Sequence, residues 1–324
     1  MIDVLLLLGL PASGKSEIRR YLAGLDPARA AADFQLGPQV HLDDYPYVHL
    51  MRLISRELRR RRAHPVFFAT DTEPLLEPGD WLTLTALLNE DHAALAEPPA
   101  TVMEGHGARV LLDRLDRARA AAGLPAAFSA LPAADRSALE AALEEEAASL
   151  IRALGRSRPE TLAGHTVLIE LSRGAGPGMR PPLPPPWGYA HSLGMLSPDV
   201  LARAACLYVW VTPAESLRRN QERALPGGED STLHHGVPEQ VMRHDYTSDD
   251  LAWLLDHSDR SGHITLTAHG RRFQIPAVRF DNREDRTSFL RADPAAWPAA
   301  RVADLHQRLT AAFDLLLRRG RMPA

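Results

Sequence analysis

The chain opens with an apolar run that leads directly into a glycine-containing octapeptide. Residues 2–8 read Ile-Asp-Val-Leu-Leu-Leu-Leu, and residues 9–16 read Gly-Leu-Pro-Ala-Ser-Gly-Lys-Ser. The octapeptide fits G-x-x-x-x-G-K-[ST], the phosphate-binding Walker A pattern, and apolar residues at helical spacing follow it. In a loop between a buried strand and a helix, the backbone amides and the helix dipole favour an anion at one point. The sequence therefore predicts a site for a nucleoside triphosphate.

Each type of residue in the octapeptide has a physical task. The two glycines permit backbone angles and a close approach that a side chain would block. The lysine brings a compact positive charge to the β- and γ-phosphates, and the final serine hydroxyl can bind Mg²⁺. The predicted contacts to the nucleotide from this loop are Gly9, Ala12, Ser13, Gly14, Lys15 and Ser16.

The usage of basic residues strengthens this interpretation. The chain has 37 lysine and arginine residues, and Lys15 is the only lysine among them. Since arginine serves wherever a surface charge is enough, the single lysine is not generic surface charge, and a planar guanidinium cannot replace an ammonium inside a phosphate loop. The N-K-x-D motif, with which GTPases read the base, would need a second lysine and is excluded.

Composition limits the class of protein. A chain of 324 residues with 45% hydrophobic residues can form one large domain with an insertion, or two domains. The net charge of −4 does not indicate binding to nucleic acid or to an anionic membrane. The apolar start is too short for a membrane span, and the only cysteine, Cys206, permits no internal disulfide. We expect a soluble, cytoplasmic protein, and its oligomeric state stays open.

Apolar segments that alternate with helical patterns predict an α/β fold with a mainly parallel five-stranded sheet. Residues 1–100 form the first part of the predicted core, residues 101–165 a helical insertion of two helices, and residues 166–324 the second part. This second part includes an arginine-bearing helix, a flap over 226–260 and a C-terminal helix. The predicted core strands are 3–8, 39–42, 166–171, 206–211 and 277–280, with a hairpin over 264–275 and a further short strand considered at 66–69.

Acidic residues end two of the predicted core strands. Asp43 and Asp44 follow the second strand, and Glu170 lies near the end of the third. Because the carboxyl ends of parallel strands line the ligand crevice, these acids belong at the same edge as the octapeptide. A kinase needs a base at that place, and Glu170 together with Ser16 would hold Mg²⁺. The pattern around Glu170 is weak evidence by itself, because any core strand that ends in an acid would match it.

Four further residues are candidate contacts to a substrate. Tyr45 follows the paired aspartates, Asp71 lies in an acidic loop, and Arg173 opens a long loop rich in glycine and proline. Tyr189 lies just after that loop, which is long enough to suggest a function. The alternatives are a solvated loop for Asp71 and packing under the loop for Tyr189.

The order of these motifs resembles that of the P-loop kinases that act on small molecules. Within them, Leu42-Asp43-Asp44-Tyr45 looks like the Asp-Asp-Phe-Tyr segment of the uridine kinase and nicotinamide riboside kinase group. The resemblance implies a three-layer P-loop NTPase fold with ATP and Mg²⁺ as cofactors. It also implies that Asp43 is the base for the substrate hydroxyl, with Asp44 as the competing choice.

The resemblance extends to the second half of the chain. By similarity to the lids of such kinases, Arg218, Arg219 and Arg223 would clamp the transferring phosphoryl group, and Asn282 would lie near the adenine. The insertion and the proline-rich loop have no counterpart in that group, so the identity of the acceptor is not carried over.

The expected function is transfer of the γ-phosphate of ATP to a hydroxyl of a small molecule, assisted by Mg²⁺. One alternative is a regulatory or interaction module that binds and hydrolyses ATP and contacts a partner through the insertion. Another is a kinase of the toxin type or one that acts on RNA ends, for which the run of arginines at 59–62 is the only support.

Overall fold

A computed structural model describes residues 1–97, 103, 105–156, 158–223 and 236–321. Its centre is one six-stranded sheet with the order β2-β3-β1-β4-β6-β5, in which all neighbours are parallel except the β5–β6 hairpin. The predicted α/β class and mainly parallel sheet are therefore confirmed. The strands are β1 Val4–Leu8, β2 Gln39–Asp43, β3 Thr166–Leu171, β4 Ala204–Trp210, β5 His263–Ala268 and β6 Arg271–Asp281.

The sheet has one strand more than predicted because the hairpin belongs to it. Strand β6 continues without interruption from the hairpin into the last parallel strand, so β5 extends the sheet at its edge. The short strand considered at 66–69 is wrong. Only Phe68 pairs there, with Leu75, and the amides of Phe67 and Phe68 both donate to the Ser55 hydroxyl at 3.1 Å.

Helices cover both faces of the sheet. The central strand β1 is buried along its whole length, which is typical of a parallel strand between two helical layers. Apolar residues of α1, α2 and α12 pack on one face, and those of α4, α7, α8 and α11 pack on the other. The helices are α1 Lys15–Ala23, α2 Pro27–Phe34, α3 Tyr45–Arg60, α4 Asp80–Ala94, α5 Gly107–Ala121, α6 Ala133–Arg156, α7 Gly188–Met195, α8 Pro198–Arg203, α9 Pro213–Arg223, α10 Glu239–Asp245, α11 Leu251–Asp256 and α12 Ala299–Arg321.

A second apolar core lies among the helices beside the sheet. The two helices predicted within 101–165 are α5 and α6, and they pack with α3 and α4 around residues such as Leu50, Leu84 and Leu112. Buried ion pairs lie in this helical core. Arg114 donates to Asp91 at 2.8 Å, and Arg119 donates to Asp80.

No described helix combines the length and apolar composition that a membrane span requires. Residues 226–235 of the predicted flap lie outside the described part of the chain, and its remainder contains α10 and α11.

Candidate functional site

The octapeptide forms the turn between β1 and α1, at the carboxyl edge of the sheet. Three of its residues have positive φ angles, namely Gly9 at 148°, Ala12 at 53° and Gly14 at 109°. A Cβ atom at Gly9 would lie 2.3 Å from the carbonyl oxygen of Val209, so no larger residue fits there. The predicted strand, loop and helix are thus present, and glycine is required by both conformation and space.

Side chains from other elements fix this loop from behind. The hydroxyl of Tyr189 accepts a hydrogen bond from the amide of Gly9 at 2.8 Å and donates to its carbonyl oxygen at 2.9 Å. The amide nitrogen of Asn282 donates to the carbonyl oxygen of Ser13 at 2.6 Å. Tyr189 and Asn282 are both fully buried and do not line the cleft. Both side chains hold the loop in place, and the predicted contacts of Tyr189 with a substrate and of Asn282 with adenine stay predictions.

Lys15 is folded back onto the loop. Its ammonium donates to the carbonyl oxygens of Gly9 and Leu10 at 2.9 and 3.0 Å and to the hydroxyl of Ser172 at 2.8 Å. Burial lowers the pKa of Lys15 to about 8, against the opposing effect of the nearby Glu170. The ammonium is the single charged side chain within residues 9–16.

Parallel pairing places the acids beside the loop. Strands β2 and β3 pair so that Asp43 lies opposite Glu170. The hydroxyl of Ser16, in the first turn of α1, donates to Oε1 of Glu170 at 2.7 Å. The structure therefore brings Ser16, Asp43 and Glu170 together at one edge, where the sequence predicted a base and a metal site.

His41 adds a nitrogen to this cluster. One ligand atom each from His41, Asp43 and Glu170 lies within 4.8 Å of the others, and His41 Nε2 lies 3.7 Å from Glu170 Oε2. Both of these buried atoms lack a hydrogen-bond partner among the described residues. Unsatisfied buried polar atoms are costly, and a bound cation would satisfy them. Sequence reasoning missed His41, although residues two apart in a strand share a face, which was the available signal.

Opposite electrostatic effects act on the two facing acids. Burial raises the pKa of Asp43, and the negative charges of Glu170 and Asp44 raise it further. Burial would also raise the pKa of Glu170, but His41, Lys15 and Arg19 more than offset this effect, and the pKa is lowered. The pKa of Glu170 is thus lowered and that of Asp43 raised, so Asp43 is the one of the two facing acids that holds a proton more tightly.

Asp44 has a different environment from Asp43. Its Oδ2 accepts a hydrogen bond at 2.6 Å from Arg173, which is 2% exposed and also donates to Ser192 at 3.1 Å. Arg173 therefore positions and neutralises Asp44 and does not line the cleft. Asp43 Oδ1 accepts a hydrogen bond from the backbone amide of Tyr45 at 2.7 Å, and Asp43 Oδ2 lies 4.0 Å from His41 Nε2. Of the two candidates for a base, Asp44 is the one for which the structure shows a hydrogen bond from an arginine.

The three arginines of α9 that were predicted to clamp a phosphoryl group have different environments. Arg219 is fully buried, and it donates to Glu215 at 2.6 Å and to the carbonyl oxygen of Asn282 at 2.5 Å. Internal partners therefore hold two of its three guanidinium nitrogens, while Nη1 has no hydrogen-bond partner among the described residues, and its role as a phosphoryl clamp stays a prediction. Arg218 is half-exposed and pairs with glutamates of its own helix. Only Arg223 lines the cleft, where Glu17 holds it.

Asp71 lies outside the cleft. It is 44% exposed, and it pairs with Arg56 at 2.9 Å and with Arg59 at 2.7 Å. Arg60 and Arg61 both pair with Glu57. Asp71, the predicted substrate contact, is therefore paired with Arg56 and Arg59, and two further arginines of the run pair with Glu57 of α3.

One cleft of about 1040 Å³, including its open mouth, joins the loop to the helical core. Its polar end is lined by Lys15, Ser16, Asp43, Asp44, Glu170, Ser172 and Arg223. Tyr45 also lines the cleft, and its contact with a substrate stays a prediction. Sequence reasoning missed Arg52, Trp81 and Tyr246, which also line the cleft and come from three separate segments. Only the fold brings these segments together.

Comparison with protein-family models gives no match, and comparison with curated proteins gives none either. The fold and the site by themselves define an α/β protein in which a glycine-containing loop, a lysine and three acids meet at the carboxyl edge of a parallel sheet.

Proposed function

We propose that this chain is a P-loop kinase that transfers the γ-phosphate of ATP to a hydroxyl group of a small molecule. The observation that carries the proposal is the convergence of Lys15, the Ser16–Glu170 hydrogen bond and Asp43 at the mouth of one loop. We also propose the P-loop NTPase fold, because the octapeptide joins the central parallel strand to a helix.

The residues present fit a divalent cation. Glu170 has one oxygen bonded to the Ser16 hydroxyl and a second, buried oxygen without a hydrogen-bond partner among the described residues. Hydroxyl and carboxylate oxygens are the ligands that Mg²⁺ prefers. Ser16 and Glu170 would hold it, and Mg²⁺ would neutralise charge on the phosphate oxygens.

The chain's own groups then divide the work of transfer. The loop amides and Lys15 bind the β- and γ-phosphates, and Arg223 adds a second cation at the cleft. Asp43 accepts the proton of the acceptor hydroxyl while that oxygen bonds to the γ-phosphorus and the bond to the β-phosphate oxygen breaks, which releases ADP. A raised proton affinity suits Asp43 to this task, because a base acts best when its pKa lies near the working pH.

The other candidate functions have weaker support. The arginine run, on which an RNA-directed kinase would depend, is largely paired with Asp71 and Glu57. A reducing compartment such as the cytoplasm fits the buried, unpaired Cys206.

The test is incubation with γ-labelled ATP, Mg²⁺ and a cell metabolite extract. We expect one small molecule to gain label, and we expect Asp43→Asn to lower this transfer by about 10²- to 10⁴-fold while ATP still binds. Asp71→Asn is the matched control, since it makes the same change at an exposed acid outside the cleft. Equal transfer by Asp43→Asn would show that this carboxylate is not the base. Release of free phosphate with no labelled small molecule would favour the regulatory ATPase instead.

A further inference from the structure

The cleft continues from the paired aspartates along one face of α3. Tyr45, Val48 and Arg52 all line it, and their spacing of three and four residues places them in one stripe of the helix. At 1.5 Å per residue, this stripe extends about 10 Å from the acids. The cleft is therefore long enough to hold the body of an acceptor whose hydroxyl lies at Asp43.

The lining along this stripe is aromatic and aliphatic. We name it the apolar wall and define it by six residues: Tyr45, Val48, Phe68, Leu75, Trp81 and Tyr246. These six residues come from α3, the segment before α4, the first turn of α4 and the residue that follows α10. The rings of Trp81 and Tyr246 meet edge to face at 5.8 Å, which leaves a rigid aromatic surface.

Polar groups also lie along the apolar wall. Arg52 lies 4.0 Å over the ring of Phe68 and donates to the carbonyl oxygen of Asp71 at 2.6 Å. Asp245 has one oxygen 2.5 Å from the His244 ring nitrogen, and its second oxygen, Oδ2, is without a hydrogen-bond partner among the described residues. The hydroxyls of Tyr45 and Tyr246 and the ring nitrogen of Trp81 belong to lining residues as well. Four of the six wall residues are nevertheless aromatic, which favours a ring over an aliphatic group.

We propose that the acceptor is an aromatic alcohol, with its hydroxyl at Asp43 and its ring against the apolar wall. This substrate class rests on the proposed kinase function. The reaction forms a phosphate monoester of the alcohol and ADP, and the hydroxyl proton passes to Asp43. Apolar surface buried on binding, together with edge-to-face ring contacts, supplies the selectivity.

The first test compares three alcohols as acceptors of label from γ-labelled ATP: 3-phenylpropan-1-ol, 3-cyclohexylpropan-1-ol and uridine. We expect kcat/KM for the phenyl compound to exceed that for the cyclohexyl compound by about 2- to 10-fold, which is the contribution of aromatic contacts. We expect uridine to be the poorest acceptor. Better transfer to uridine than to the phenyl compound would overturn the proposal.

The extract experiment separates this proposal from the function on which it rests. If a polar metabolite gains label and 3-phenylpropan-1-ol does not, the substrate class is wrong and the kinase function stands. If neither the extract nor any of the three alcohols gains label, the kinase function fails, and the substrate class fails with it.

The second test changes the apolar wall. Val48→Asp places a charge on the wall at a half-buried position, and Val110→Asp makes the same change at a half-buried position of α5 outside the cleft. We expect Val48→Asp to raise KM for 3-phenylpropan-1-ol by about tenfold or more without changing KM for ATP, and Val110→Asp to leave both constants unchanged. Val48→Thr, which keeps the shape, should show a smaller change in the same direction. Equal KM values for the wild type and Val48→Asp would contradict the placement of the ring.

Discussion

Two regions of this protein contain buried charges whose hydrogen bonds are made to different degrees. In the helical core, the two oxygens of Asp91 share the single hydroxyl proton of Tyr47, and one also accepts from Arg114 at 2.8 Å. At the cleft, Glu170 Oε2 and His41 Nε2 have no hydrogen-bond partner among the described residues, although they lie 3.7 Å from each other and Arg19 Nε lies 3.5 Å from Glu170 Oε2. The first arrangement is hydrogen-bonded within the chain, and the second leaves atoms that a bound ion could contact.

This difference separates structural charges from functional ones. A buried pair whose hydrogen bonds are all made holds its helices in one arrangement. A buried polar atom without a hydrogen-bond partner costs stability. Such atoms also occur outside the His41–Asp43–Glu170 cluster, at Arg219 Nη1 and Glu17 Oε2. At Glu170 and His41, their position beside Ser16 and Asp43 is what supports the proposed ligand site. Mutations in the two regions should therefore change different measurements: stability in the helical core, and binding at the cleft.

The largest effect on stability is expected from Arg114→Ala. The change leaves Asp91 buried without its cation, which lowers the free energy of unfolding by about 3–5 kcal/mol. Urea unfolding measures this loss, and titration of the folded variant should give an unchanged ATP affinity. Arg117→Ala in the same helix is the matched control, because Arg117 is 61% exposed and lies 3.7 Å from its partner Glu90. Similar losses for both variants would show that burial of the pair does not determine its contribution.

A smaller effect, of a different kind, is expected from Glu170→Gln. The change keeps the shape and removes the charge that would hold the cation, so Mn²⁺ affinity in the presence of ATP should fall about 10- to 100-fold, or about 1.4–2.7 kcal/mol. Paramagnetic resonance of Mn²⁺ measures this directly. Glu222→Gln, at a half-exposed glutamate of α9, should bind Mn²⁺ like the wild type. An unchanged affinity in Glu170→Gln would place the cation elsewhere and remove the functional distinction between the two regions.

The sequence predicts the parts of the site that follow from backbone topology. The loop, the strands and the meeting of Ser16, Asp43 and Glu170 all follow from the rule that parallel strands end at one edge. The hydrogen-bond partners of side chains do not follow from backbone topology in this way. Tyr189 and Asn282 hold the loop from behind because packing across the whole chain directs them there.

The sequence also did not show that the hairpin joins the last parallel strand, because the pattern of apolar residues does not reveal whether two strands are continuous. Strand β6 contains the hairpin strand and the core strand as one element. The apolar wall also depends on tertiary structure, since Phe68, Trp81 and Tyr246 come from segments far apart in sequence. The local pattern therefore predicts the phosphate end of the cleft far better than the acceptor end.

The smallest effect on stability is expected from Arg218→Ala. The neighbouring residue, Arg219, has the opposite environment. Arg218 is 48% exposed, and within the described part of the chain its ion-pair partners are glutamates of α9, so its loss should cost about 0.2–1 kcal/mol of unfolding free energy. Arg219, one position later, is fully buried against the Asn282 backbone, and Arg219→Ala should cost several times more. Denaturant unfolding of both variants measures the difference. The opposite result would be a tenfold loss of phosphate transfer in Arg218→Ala with unchanged stability. It would show that this arginine reaches the phosphates during the reaction, and that an ion pair on the surface does not exclude a function.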